Sequence, residues 1–461
     1  MFLKKLTAFL AAALCFSGLA AAQEKPVVKA SSPSPAWLES AVIYEANLRQ
    51  GTPSRNLNGL RKELPRLRQL GVDVVWLMPI HPISLEQRKG TLGSYYAVQD
   101  YMKVNPEFGT FADLKAFVNA AHALGIRVIL DEVCNHTGAD HPWVEEHPDY
   151  YARNEKGDMY GPYDWTDVFV LDYHNPATRA AMTEALLFWV KEADIDGYRC
   201  DVAGEVLTDF WEEVRPKLQA VKPVLMLAEA SKPELLAKAF DVDYAWPMKD
   251  LFNAIAATKG INKWAVDHKE NRPVKSAIDI PALIDQQAKE YPVGSIHMNM
   301  ITNHDLNSWE GTEFDRYAEA VRTFAVLSFT LPGVPMMYTG QEVGFNHAFE
   351  FFEQDKVIPD YTQNDFTLFY QTLTGLKHCN KALKAHAPAS FLKTDSDDVL
   401  VMCREAEGDR VVVIANLSSK PVKLAADGLP TVDGLKDLFS AAPASIPETL
   451  TPWQYLVLVN K

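Results

Sequence analysis

The sequence predicts an α/β protein built on a closed (β/α)₈ barrel, with a short insert subdomain after the third strand and a C-terminal antiparallel β-sandwich. Three observations predict it. The chain has 461 residues, enough for a barrel of roughly 250 residues or more plus an appendage. Between residues 41 and 342, short apolar, β-branched runs alternate with amphipathic stretches of helical period, the mark of repeated βα units. Beyond about residue 383 the pattern changes to period-two alternation between turn residues, as antiparallel strands require.

Taken in order, the expected barrel strands are 41–47, 72–80, 127–133, 194–202, 224–230, 240–246, 295–305 and 334–342. Helical stretches follow most of them, and Gly71, Gly125 and Gly333 stand where a helix must stop before the next strand. One connection is long. The third strand ends near Cys134 but its helix begins only near Pro176, and long loops in compact domains are usually functional. This insert, 136–172, carries Trp143, Tyr150, Tyr151, Tyr160, Tyr163 and Trp165, expected mainly as its own small core. The barrel with its insert spans 37–387. The sandwich spans 388–461, with strands expected at 399–404, 410–417, 421–425 and 454–459.

The N-terminus combines Lys4 and Lys5, an apolar run over 6–16 and small residues up to Ala22. It reads as a secretory signal peptide over 1–22 followed by a linker over 23–36, so export to a periplasm or beyond the cell is expected. The apolar run is shorter than the roughly 20 residues of a membrane span, and no later segment supplies one. With 45 basic against 60 acidic residues, the net charge is −15. No dense run of Lys or Arg offers a footprint for nucleic acid or an anionic membrane. A neutral substrate fits better. Cys134, Cys200, Cys379 and Cys403 are too sparse for a disulfide scaffold and match no zinc spacing, so they are expected as free buried thiols.

Barrel enzymes carry their reactive groups at the C-terminal ends of the strands. Four expected strand ends are polar: Asp131 to His136, Gly197 to Asp201, Ala228 to Ala230 around Glu229, and Thr302 to Asp305. Three of them bring a carboxylate to the mouth, where an ionisable group has no packing role and a desolvation cost. Hydrolysis of a glycosidic bond needs a proton donor and a second carboxylate, about 5–5.5 Å apart when configuration is retained. Asp201 and Glu229, on adjacent strands, suit that separation. Arg199 lies two residues before Asp201 on the same face and is expected to keep it ionised. Glu229, flanked by Ala228 and Ala230, is expected in an apolar setting that keeps it protonated.

The four segments resemble the four signature regions of the α-amylase family, glycoside hydrolase family 13, in order and on the same strands. Gly71 to Pro79, Tyr96 to Tyr101, Val104 to Gly109 and Gly333 to Glu342 are similar to that family as well, and the resemblance covers about residues 37–385. It implies Asp201 as nucleophile, Glu229 as general acid/base and Asp305 as the carboxylate that grips sugar hydroxyls. It further implies that Arg199, His136 and His304 bind the glucose unit at the cleavage point, with Tyr96 stacked on its apolar face and Asp131 bracing Arg199. The expected substrates are α-1,4-linked glucans or maltooligosaccharides, as in compact bacterial α-amylases. Val202 keeps α-1,6 action as the alternative, beside a transglycosylating member of the same family, and the complete carboxylate trio argues against a non-catalytic glycan-binding protein. No cofactor is required on this reading. Where many members have Lys-His after the nucleophile segment, this chain has Gly204 and Glu205. A structural calcium ion, for which Asn135 and the insert residues Asp140, Asp149, Asp158, Asp164 and Asp167 are the candidates, is therefore disfavoured.

Overall fold

The computed structural model describes residues 34–269, 272–425 and 429–460. The signal peptide expected over 1–22, and most of the linker, lie outside the described residues.

Eight parallel strands close into a barrel: β1 (Ile43–Ala46), β2 (Val74–Leu77), β3 (Arg127–Glu132), β4 (Gly197–Cys200), β5 (Leu225–Ala228), β6 (Val242–Tyr244), β7 (Ile296–Asn299) and β8 (Val334–Tyr338). β1 pairs with both β2 and β8, so no edge is left open. Side-chain alternation divides each strand between two cores. Ile43, Val74, Trp76, Ile129, Leu225, Leu227, Val242, Tyr244, Ile296, Met298, Val334 and Met336 fill the barrel interior, as bulky side chains do in such barrels. The alternate residues, such as Tyr44, Val75, Val128 and Met226, face outward into the shell of helices.

The strands are shorter than the sequence predicts, and the largest difference falls on the seventh. β7 ends at Asn299, and His304 and Asp305 occupy the first turn of a helix, His304–Trp309. The reason is local. Asn303 accepts the N–H of Leu306 at 2.8 Å as an N-cap, a bond that starts a helix and ends extended backbone.

At the start of β4, Gly197 has φ of 143°, and a Cβ there would lie 1.9 Å from the Leu225 carbonyl oxygen. Any side chain at this point would push apart the two strands that carry Asp201 and Glu229.

The insert forms a small antiparallel pair, His136–Gly138 with Val168–Val170. Tyr150 and Tyr151 are buried in it as expected, but Tyr163 is 73% exposed.

The C-terminal region is one five-stranded antiparallel sheet plus a two-stranded ribbon, not two equal sheets. In order, the five strands are Ala389–Leu392, Val399–Ala406, Asp409–Asn416, Tyr455–Val459 and Lys436–Asp437. The ribbon is Val422–Lys423 with Thr449–Leu450. One face of the larger sheet, including Leu400, Met402, Val411 and Val413, belongs to the barrel's outer core. The other face packs with Leu424, Leu435 and Leu450. Buried Arg404 ties the sheet to the barrel through the carbonyls of Thr330 at 2.9 Å and Leu331 at 3.1 Å. Among the described residues no helix is long and apolar enough to cross a membrane.

Candidate active site

The alternation that places Ile43, Val74 and Ile129 inside the barrel also places Glu45, Trp76 and Asp131 inside, two residues nearer the mouth. Arg199 follows by register, since it pairs with Asp131 across β3 and β4. At the mouth of the barrel opens a cavity of about 610 Å³. Tyr96, His136, Asp201, Glu229, His304 and Asp305 all line that cavity.

Arg199 is the exception among the expected substrate contacts. Its side chain is 0% exposed and lies beneath the floor. The guanidinium donates to Asp131 at 2.7 Å, to Asp201 at 2.9 Å and to the Tyr244 hydroxyl at 3.1 Å. It pairs with Glu229 Oε2 at 2.7 Å. The rings of Trp76, Tyr96 and Tyr244 surround it at 5.0, 5.6 and 5.6 Å. With its donors directed at carboxylates, Arg199 positions the site and does not line the cavity.

Glu229 also departs from expectation. Its Oε2 accepts the Val202 N–H at 2.8 Å besides facing Arg199, so its setting is polar and not apolar. Both partners fall on one oxygen. Val202 itself holds φ of 34°, a region costly for a β-branched residue, in the backbone that delivers this N–H. Asp201 is pushed well above the usual carboxylate range by burial. Arg199 opposes the rise, while Glu229, Asp131 and Asp305 add to it. Burial raises Asp131 and Asp305 too. Five carboxyl groups, counting Glu45, thus surround the cations Arg199 and His304.

His304 is the second cation. Burial alone would lower it, but Asp305 and Glu45 overcome that and lift the imidazole to about 9. Its Nδ1 meets the Glu45 carboxylate, and its Nε2 lies 3.2 Å from Asp305 and 2.7 Å from the Tyr96 hydroxyl. His136, by contrast, is lowered to about 4 by burial and stays neutral. The Tyr96 hydroxyl donates to Asp131 at 3.0 Å, and its ring stacks with His304 and Phe351. From the insert, Trp165 reaches the cavity and packs edge-on against His136.

Sequence reasoning missed Glu45, which closes the apolar run of β1 as Asp201 and Glu229 close theirs, so the same signal could have found it. Lys89, Phe351 and Phe352 also line the cavity. They come from loops without periodicity, and no sequence signal marked them.

Several of the residues weighed for calcium are engaged elsewhere. The Gly204 carbonyl accepts from the Lys232 ammonium, and Asp167 pairs with Lys89 at 3.1 Å. Asp140 accepts from Leu85 N–H at 2.8 Å and from Gln99 at 3.0 Å. The Asn135 amide nitrogen lies 3.3 Å from His136 Nδ1. Among the described residues no group of three or more His, Cys, Asp or Glu side chains is placed to hold a metal.

A closed parallel barrel whose mouth gathers carboxylates from adjacent strands around one buried arginine is the architecture of the (β/α)₈-barrel glycoside hydrolases. Comparison with known proteins narrows the class. The chain belongs to the alpha-amylase family, whose catalytic-domain model matches residues 42–170 and 163–381. The alpha-amylase MalA of Haloarcula japonica is 28% identical over 427 residues, covering 88% of this chain and 59% of that protein. A cyclomaltodextrinase of a Bacillus species is 26% identical, covering 83% of this chain and 73% of its own length. Among solved structures, an alpha-amylase from Lactobacillus plantarum superimposes with a TM-score of 0.78 at 28% identity, covering 92% of this chain and 99% of that one. The noncanonic maltogenic alpha-amylase AmyB from Thermotoga neapolitana gives 0.77 at 27% identity with the same coverage.

Proposed function

We propose that this protein is a retaining glycoside hydrolase that cleaves α-1,4-glucosidic bonds in starch-like glucans or maltooligosaccharides by double displacement. The observation that carries this reading is the pair Asp201 and Glu229. They follow the paired ends of β4 and β5, where Cys200 is in register with Ala228, and one guanidinium contacts both. Two carboxylates held by one guanidinium favour the short separation of retaining enzymes over the roughly 6.5–9.5 Å gap that an inverting enzyme needs for water.

In the first step an Asp201 oxygen attacks the anomeric carbon, the glycosidic C–O bond breaks, and Glu229 transfers its proton to the leaving oxygen. In the second, Glu229 takes a proton from water, the water oxygen bonds to the anomeric carbon, and the ester to Asp201 breaks. Two inversions return the α configuration. Asp305, beside the His304 cation, grips sugar hydroxyls, and Tyr96 and His136 border the same glucose unit. Every group is a side chain of this protein, so the reading requires no cofactor.

The test is proton NMR of products in the first minutes of reaction on maltooligosaccharides, with isomaltose in parallel. An initial α-anomer from the α-1,4 substrate supports the reading. An initial β-anomer, or cleavage of isomaltose alone, refutes it.

A further inference from the structure

The rim of the barrel mouth is uneven. After β4, β5 and β6 the chain enters the next helix quickly, at Thr208, Leu235 and Trp246. After β2, β3 and β8 it runs through long loops, over 78–110, 133–175 and 339–364. In the closed order of the barrel, β8, β1, β2 and β3 are consecutive, and β5 lies opposite β1. The rim is therefore high on one arc and low on the arc that carries Glu229.

The high loops are fastened into one wall. Lys89, after β2, pairs with Asp167 of the insert at 3.1 Å. Thr91 N–H donates to Glu353 at 3.0 Å and its hydroxyl to the same carboxylate, while Leu92 N–H donates to the Phe352 carbonyl at 2.9 Å. Buried Arg49, after β1, clamps the seam from below through the carbonyls of Gly93 at 3.2 Å and Phe351 at 3.1 Å. The contact is close because residue 90 is glycine at φ of 60°, and a Cβ there would lie 2.6 Å from that of Phe352. Phe351 stacks on Tyr96, and Lys89 and Phe352 face the same cavity as Asp201 and Glu229.

The general acid marks the side from which the leaving group departs. Glu229 stands on the low arc, so the departing chain extends over the low rim and the sugar that becomes bonded to Asp201 lies toward the wall. We infer that the wall, closed by the Lys89–Asp167 tie, limits the glycone side to one or two glucose units, so that the enzyme trims chains from their non-reducing ends. This rests on the glycosidase reading above and specifies how that site selects its bond.

The experiment follows amylose digestion by iodine staining, reducing-end release and chromatography of early products, for the wild type, Lys89→Ala, Lys89→Arg and Asp167→Asn. The wild type is expected to release sugars of one or two units from the outset while the iodine colour persists. Lys89→Ala and Asp167→Asn should lose colour several-fold faster per bond cut and release maltotriose and longer products, with Lys89→Arg restoring the short-product pattern. An early ladder of long oligosaccharides from the wild type would overturn the inference while leaving the glycosidase reading intact. So would a Lys89→Ala product pattern equal to that of the wild type. Inactivity on every glucan would overturn the functional reading, and this inference with it. If the variants fail to fold, the wild-type pattern alone decides.

Discussion

Replacing Glu45 by Gln probes the charge balance beneath the cavity. The Glu45–His304 pair is buried, and the imidazole is lifted from 6.5 to about 9. At 1.36 kcal/mol per pH unit, this corresponds to roughly 3 kcal/mol in favour of the imidazolium. Two carboxylates maintain it against burial. The Asp305 side chain is 37% exposed, whereas Glu45 is fully buried and so acts where screening is weak. Loss of an opposite charge at this range moves a pKa by about 1–3, so Glu45→Gln should bring His304 down to roughly 6–8. The assay is NMR titration of ¹³C-labelled histidine ring signals, with His304 assigned by its loss in His304→Gln. A wild-type signal titrating near 6.5, or one that Glu45→Gln does not move, would refute the reasoning. The consequence for stability has a definite sign. A folded pKa above the unfolded one contributes stability that is complete below pH 6.5 and is lost as pH rises through about 9. Between those limits the wild type should lose up to roughly 3 kcal/mol of unfolding free energy in urea from this group, and Glu45→Gln should lose less.

The two central carboxylates should separate by leaving group. Asp201→Asn is expected to retain only a trace of turnover on every substrate. Glu229→Gln should lose about 10²–10⁴-fold on maltooligosaccharides, yet still form a glycosyl-enzyme from an activated aryl glycoside, seen as a burst of released phenol. Prolonged chelation is expected to leave activity and melting temperature unchanged. A tight native-state metal at 100 times its dissociation constant would contribute about 2.7 kcal/mol, so a drop that calcium restores would contradict this. Of the four described cysteines, Cys379 is exposed while Cys134, Cys200 and Cys403 are buried. A thiol reagent should modify Cys379 rapidly and the other three only on unfolding.

The barrel is legible because its signals are local and repeated. Apolar β-branched runs at regular intervals mark all eight strands, and an ionisable group closing such a run marks Asp201 and Glu229. Where a competing local bond ends a strand, the pattern overshoots, as at Asn303, whose cap puts His304 and Asp305 on a helix. The expectation of buried thiols holds except for Cys379, which sits at the exposed end of the helix Asp365–Cys379. Two site properties depend on distances between segments far apart in sequence, and no pattern of residues carries those. One is the placement of Arg199 below the floor. The other is the polar environment of Glu229, which depends on the Val202 N–H as much as on the neighbouring alanines. The wall residues Lys89, Phe351 and Phe352 belong to the same class, since they acquire meaning only when the loops meet.

The C-terminal sheet shares its inner face with the barrel's outer core, and Arg404 is anchored in barrel carbonyls. It is therefore not a detachable module. A chain ended near residue 388 would leave Phe369 without the cover supplied by Phe439 and Tyr455, and Phe324 without that of Trp453. Such a truncate should aggregate on expression and not yield a trimmed active enzyme. Heating the intact protein should give a single calorimetric transition. Engineering that exchanges this region for a foreign binding domain would have to rebuild the shared surface, whereas a domain added after the last strand could be attached without disturbing it.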